Sequence, residues 1–127
     1  MKAISLWQPW ATLIALGEKE YETRGWFTNH RGMLAIHAAK KFEDVQKGFC
    51  RQEPFLSVLT KHGLAEKDLP LGAIVAVVDL TNVYHADAIA SHLSQQERAF
   101  GNYSGGRYAW KLHLVQRILK PIPMRGA

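Results

Sequence analysis

From Gly72 to Tyr84 the chain reads Gly-Ala-Ile-Val-Ala-Val-Val-Asp-Leu-Thr-Asn-Val-Tyr, its most strand-like run. Valine, isoleucine and alanine fill both faces of an extended backbone. The segment therefore has to be covered on two sides, and it belongs in the middle of a sheet. The rest of the fold must be arranged around it. Asp79 interrupts the run. A carboxylate in such a strand needs a cation, a hydrogen-bond donor or water, or it takes up a proton. Starting a turn is the alternative role.

Upstream, Lys2–Leu6 reads as a short first strand, followed by a helix that Pro9 opens and Gly17 closes. Trp10, Leu13, Ile14 and Gly17 recur at helical spacing, and Trp7 and Trp10 are expected to pack this helix onto the sheet. After Gly17 the period becomes two: Glu20, Glu22 and Arg24 share one face, Tyr21 and Thr23 the other. That predicts a strand over Glu20–Trp26. A turn at Thr28–Gly32 brings the chain back as Met33–Ala38, so the two strands are expected to form a hairpin, with Lys40 and Lys41 at its solvent end.

Residues 42–62 are helical in composition and split before Pro54. Phe42, Val45 and Phe49 make one apolar stripe, and Phe55, Val58 and Leu59 another. Ser94-Gln95-Gln96-Glu97 fits a capping box opening a short helix that Gly101 closes. The Asn102–Gly106 loop is rich in glycine but lacks the lysine of a P-loop. Arg107–Leu119 alternates Tyr108, Trp110, Leu112 and Leu114 against Lys111, His113 and Arg117, a half-buried strand with a basic outer face.

At 127 residues, with 47% hydrophobic and 21% charged, the chain reads as a single domain, 1–127, with a core of its own. No apolar run approaches the roughly 20 residues of a membrane helix, and the N-terminus has no signal-peptide layout. Cys50 is the lone cysteine, which rules out an internal disulfide and a thiolate zinc cluster and points to a cytoplasmic setting. The six histidines have no ligand spacing, so no metal and no cofactor is expected. The formal charge of +5 suits a polyanionic partner.

The chemistry concentrates in Gly17-x-Lys19-x-x-Glu22-x-Arg24. Lysine and arginine can hold a phosphate or carbonyl oxygen, and a carboxylate can take a proton or orient a water. The competing reading is a solvated strand face on which Glu22 and Arg24 simply pair.

This pattern looks like the G-x-K-x-x-E-x-R signature of the ASCH (activating signal cointegrator homology) domain, a branch of the PUA-like β-barrels. The likeness extends in order through Ile4–Ala11, Arg31–Ala38, Gly72–Asp79 and Gly106–Trp110. Pro121–Gly126 resembles the family's closing P-x-x-x-R-G, without the aromatic segment that often follows it. The resemblance implies an α+β fold, a small PUA-like β-barrel with flanking helices. It also implies a cleft for RNA or a nucleotide. By that likeness Lys19, Arg24, Arg31 and Lys40 would contact phosphate, and Trp26 or Tyr103 would stack a base.

A hydrolase is the alternative, because small bacterial ASCH proteins include N4-acetylcytidine amidohydrolases and others are reported as ribonucleases. Lys19 would then be catalytic and Asp79 the acid, provided the Gly72 strand lies beside the Glu20 strand. Those amidohydrolases carry threonine where this chain has Glu22, so direct carry-over fails there. A Lys19–Glu22 pair could instead activate water or a ribose 2′-hydroxyl. A protein-interaction role, as in coactivator-linked ASCH domains, is the third reading.

Overall fold

In the computed structural model, which describes residues 1–125, the Gly72 run forms strand β4 (Ala73–His85) at the centre of a five-stranded sheet. Its neighbours are β3 (Gly32–Ala38) and β5 (Tyr108–Pro123), both antiparallel to it. β1 (Ala3–Leu6) joins β3 in parallel, and β2 (Tyr21–Arg24) joins β5 antiparallel, giving the order β1-β3-β4-β5-β2. Register shifts along β4 at Ile74/Ala76, Val77/Val78 and Leu80/Asn82 mark irregularities of the kind that bend a strand and curl a sheet. With its helices this mixed, curled sheet makes an α+β domain. Gly126, the last residue of the closing motif, lies outside the described residues.

Helix α1 (Trp10–Ala15) packs against the sheet. Its residues 11–15 are all buried, so the apolar stripe read from the sequence is divided between two cores. Ala11, Ile14 and Ala15 meet Leu34, Ile36, Val78, Leu80, Trp110 and Leu112 of the sheet. Leu13 turns the other way, toward Phe55, Val58, Leu59 and Phe100, with Trp10 packed alongside. Buried Gln8 fixes the start of the helix: its side-chain oxygen accepts from Thr12 N–H and its amide donates to the Pro70 carbonyl. Gly17 ends the helix at φ +73°, the left-handed conformation expected of it.

Helices α2 (Asp44–Cys50), α3 (Phe55–Lys61), α4 (Ala86–Ile89) and α5 (Gln95–Ala99) lie in the two long connections flanking β4. In α2 the buried positions are Gln46 and Cys50, whereas Val45 is exposed. Phe42 and Phe49 reach the second core without it. Burial pushes the Cys50 thiol up to about 11, so it is an inert core group and no nucleophile.

The expected hairpin of the Glu20 and Met33 strands does not form. Both edges of β3 are taken, by β1 and β4, while β2 pairs with β5 through Thr23 and Ala109. The connection 25–31 is longer than common hairpin loops, and it returns along β5, with the Phe27 ring edge-on to Tyr108 at 5.9 Å.

The signature turn is tied to its surroundings by Glu18. Lys61 Nζ lies 2.6 Å and His62 Nε2 2.7 Å from Glu18 Oε2, and Gln96 Nε2 donates to the other oxygen at 3.3 Å. Hydrogen bonds from Lys61 and then His62 hold the Glu18 carboxyl at about 2. A carboxyl lowered on folding adds stability above its unfolded value, and that stability is lost as pH falls toward the folded value. Because Lys61 is largely exposed, about 1 kcal/mol or less is involved. Glu18→Gln should therefore be less stable than the native chain at neutral pH, and their denaturation midpoints should converge between about pH 4.5 and pH 2.

Candidate nucleic-acid site

The alternation read in β2 places Glu22 and Arg24 on one side of a strand whose partner residues are Trp110 and Tyr108. Behind them Lys19 is sealed in, its side chain wholly hidden from solvent. Its ammonium donates to the Tyr21 carbonyl and lies 3.7 Å from Glu22 Oε1. Burial lowers its affinity for a proton, and the carboxylates of Glu22 and Glu97 oppose that.

Glu22 stands between two cations. Oε1 faces Lys19, and Oε2 lies 3.3 Å from Arg24 Nε. Arg24 in turn donates from Nη2 to the Ser5 carbonyl at 3.1 Å, and its guanidinium lies 5.1 Å from the Trp26 ring centre and 5.9 Å from that of Trp110. Trp110 Nε1 donates to the Trp26 carbonyl at 3.3 Å, which ties the loop after β2 to β5.

These groups border a cleft of about 720 Å³. Its lining combines the polar Glu22, Thr23, Arg24, Asn102 and Arg107 with the apolar Trp10, Phe49, Phe55 and Phe100. Trp7 and Trp26, 50% and 56% exposed, contribute ring surface to the lining. Trp7 thus lines the cleft and does not pack the helix onto the sheet. Arg107 is anchored from the glycine loop, donating from Nε to the Asn102 carbonyl at 3.2 Å and from Nη2 to the Thr23 carbonyl at 3.1 Å.

The other candidates fall elsewhere. Asp79 lies in register with Met33 and His113, both exposed, and so shares their outer face of the sheet. β5 separates β4 from β2, so the strand adjacency that would bring Asp79 to Lys19 is absent. The acid that joins Glu22 is Glu97, on α5. Its Oε1 accepts the Glu20 N–H at 2.8 Å, and burial pushes its carboxyl up while Lys19 pulls it down. Ser94 caps the helix as the sequence predicts, accepting from Glu97 N–H, but the Glu97 side chain reaches across to the signature turn instead of back to its own cap.

Tyr103 does not line the cleft. Its hydroxyl is buried without a hydrogen-bond partner among the described residues, and burial with the neighbouring Glu97 charge raises its pKa. The ring lies so close to Gly101 that an added Cβ there would approach it to 2.8 Å, which explains a glycine at that position. Arg31 and Lys40 are exposed and outside the cleft. Arg31 donates to the Thr28 and His30 carbonyls and lies 5.8 Å from the Phe27 ring centre. Among the described residues, no three His, Cys, Asp or Glu side chains converge as a metal site, and no helix is long and apolar enough to cross a membrane.

Sequence reading missed Glu97, Trp7 and Arg107. Glu97 carried only a capping signal, and the two cleft residues read as packing and as a strand start.

Comparison with known proteins agrees with the motif. Activating signal cointegrator 1 from Homo sapiens is 36% identical over 77 residues, covering 61% of this chain and 13% of that protein; the Mus musculus protein matches equally. The chain therefore spans only a small part of these relatives' length. The ASCH protein of Zymomonas mobilis shares the fold, with a TM-score of 0.55 at 19% identity over 95% of this chain and 71% of that one. A tyrosine-to-phenylalanine mutant of the same protein gives 0.54, also at 19% identity, covering 95% and 73%. Residues 4–122 match the ASCH domain. The chain belongs to the ASCH domain family.

Proposed function

We propose that the chain binds single-stranded RNA or a nucleotide in the cleft. A base would lie against Trp7 and Trp26, and phosphate would meet Arg107. Arg31 and Lys40 would follow the backbone outside. The observation that carries this reading is the joining of two half-exposed tryptophans with two guanidinium groups in one cleft of about 720 Å³. Aromatic platforms beside basic groups are how proteins hold unpaired nucleic acid. The family's association with RNA and the charge of +5 agree. In this reading Lys19 touches no ligand; it holds Glu22 in place from behind.

Titration of a labelled single-stranded oligonucleotide at increasing salt tests it. Log affinity should fall linearly with log salt, by about 0.7 for each phosphate contact. Affinity indifferent to salt would contradict phosphate contact.

A hydrolytic reading has one observation in its favour: Lys19, 3.7 Å from Glu22, and the buried Glu97 and Tyr103 that interact with these charges all have shifted proton affinities. Glu22 would then take the proton from a water or a ribose 2′-hydroxyl. RNA and N4-acetylcytidine recovered unchanged after long incubation would remove this reading and leave binding.

A further inference from the structure

Resting on the binding reading, the structure also bears on which base the cleft selects. Among the described residues Glu22 is the only carboxylate lining it. A ligand phosphate set against Glu22 would be repelled, so the group that reaches this part of the cleft must donate hydrogen bonds. Lys19 approaches Oε1 from one side and Arg24 approaches Oε2 from the other. A carboxylate accepts only, with two lone-pair sites on each oxygen. Both contacts are ion pairs, at 3.7 and 3.3 Å, and Arg24 Nε has no hydrogen-bond partner among the described residues, so each Glu22 oxygen keeps the capacity to accept from a ligand.

Nucleobases differ in what they can offer such a pair. Guanine presents N1–H and a 2-amino N–H as adjacent, parallel donors. Adenine and cytosine each present an amino group beside a ring-nitrogen acceptor, which would face a carboxylate oxygen lone pair to lone pair. Uracil has a single N–H flanked by two carbonyls. Unpaired bases are read along these edges while stacked on aromatic rings, and the Trp7 and Trp26 rings line the same cleft. We propose that the cleft selects guanine, Glu22 accepting both N–H groups together. A base that leaves one oxygen facing an acceptor is rejected more strongly than one that merely fits loosely.

Quenching of tryptophan fluorescence by GMP, IMP, AMP, CMP, UMP and 2′-deoxy-GMP tests this. GMP is expected to bind about tenfold or more tighter than AMP, CMP and UMP, in keeping with a bidentate base contact. IMP, which lacks the 2-amino group, should fall between them, and 2′-deoxy-GMP should match GMP. Glu22→Gln should bring the GMP-to-UMP affinity ratio close to one, with folding checked by circular dichroism. The GMP-to-IMP comparison needs only the native chain.

Equal binding of all bases would overturn the proposal and leave the binding reading standing. So would a preference that survives Glu22→Gln. Loss of binding with 2′-deoxy-GMP, while GMP, AMP, CMP and UMP bind alike, would overturn it too and assign Glu22 to the ribose. Absence of binding by any nucleotide or RNA would remove both readings.

Discussion

Lys19→Met is expected to cost about 3–5 kcal/mol of stability at neutral pH, the penalty for removing one partner of a buried charged group. Methionine fills much of the same volume, so the loss is electrostatic. In the native chain Glu22 and Glu97 share the ammonium. Without it, Glu97 is a buried carboxylate left with backbone N–H partners, Glu20 and Tyr21, and no cation. Burial already raises the Glu97 carboxyl on folding, so its neutral form is the one the fold favours, and acidification supplies it. The destabilisation should therefore shrink as pH falls. Urea denaturation of both chains across acidic and neutral pH measures this. A loss below about 1 kcal/mol, or one that does not change with pH, would mean that the three groups do not act as a unit.

The second large effect is on binding. Trp26→Ala should weaken single-stranded RNA binding by about 1–3 kcal/mol, the range for loss of one base-stacking platform, or roughly fivefold to 150-fold. The ring is 56% exposed, so little of the fold depends on it. Its backbone carbonyl, which accepts from Trp110, is kept in the variant. Thermal denaturation should thus move much less than affinity. An affinity within twofold of native would remove Trp26 from the binding surface.

What the sequence made legible was local. Val and Ile on both faces of residues 73–78 required a central strand, and β4 is that strand. The left-handed Gly17 and the Ser94 cap follow from backbone chemistry within one helical turn. Alternation in β2 correctly put Glu22 and Arg24 together. The errors came where partners are distant in the chain. Pairing of Thr23 with Ala109, rather than a return to Met33, is decided by which edges of the sheet remain unpaired. The same geometry removes Asp79 from the site and lets Glu97 enter it. Nothing in a capping box tells whether its glutamate folds back or reaches across to Glu20 N–H. Trp7 was misread because an aromatic residue near a helix start has the same pattern whether it faces the core or the cleft.

The central claim is that nucleic acid occupies the cleft bounded by Glu22, Trp7 and Trp26, and crosslinking tests it most directly. A single-stranded RNA bearing photoreactive bases, irradiated with the native chain and mapped by mass spectrometry, should leave adducts on Trp7, Trp26, Asn102 or Arg107, all residues that line the cleft. Unlabelled RNA should compete them away. Adducts confined to the outer face of the sheet, at His113 or Arg117, with none in the cleft, would contradict the account.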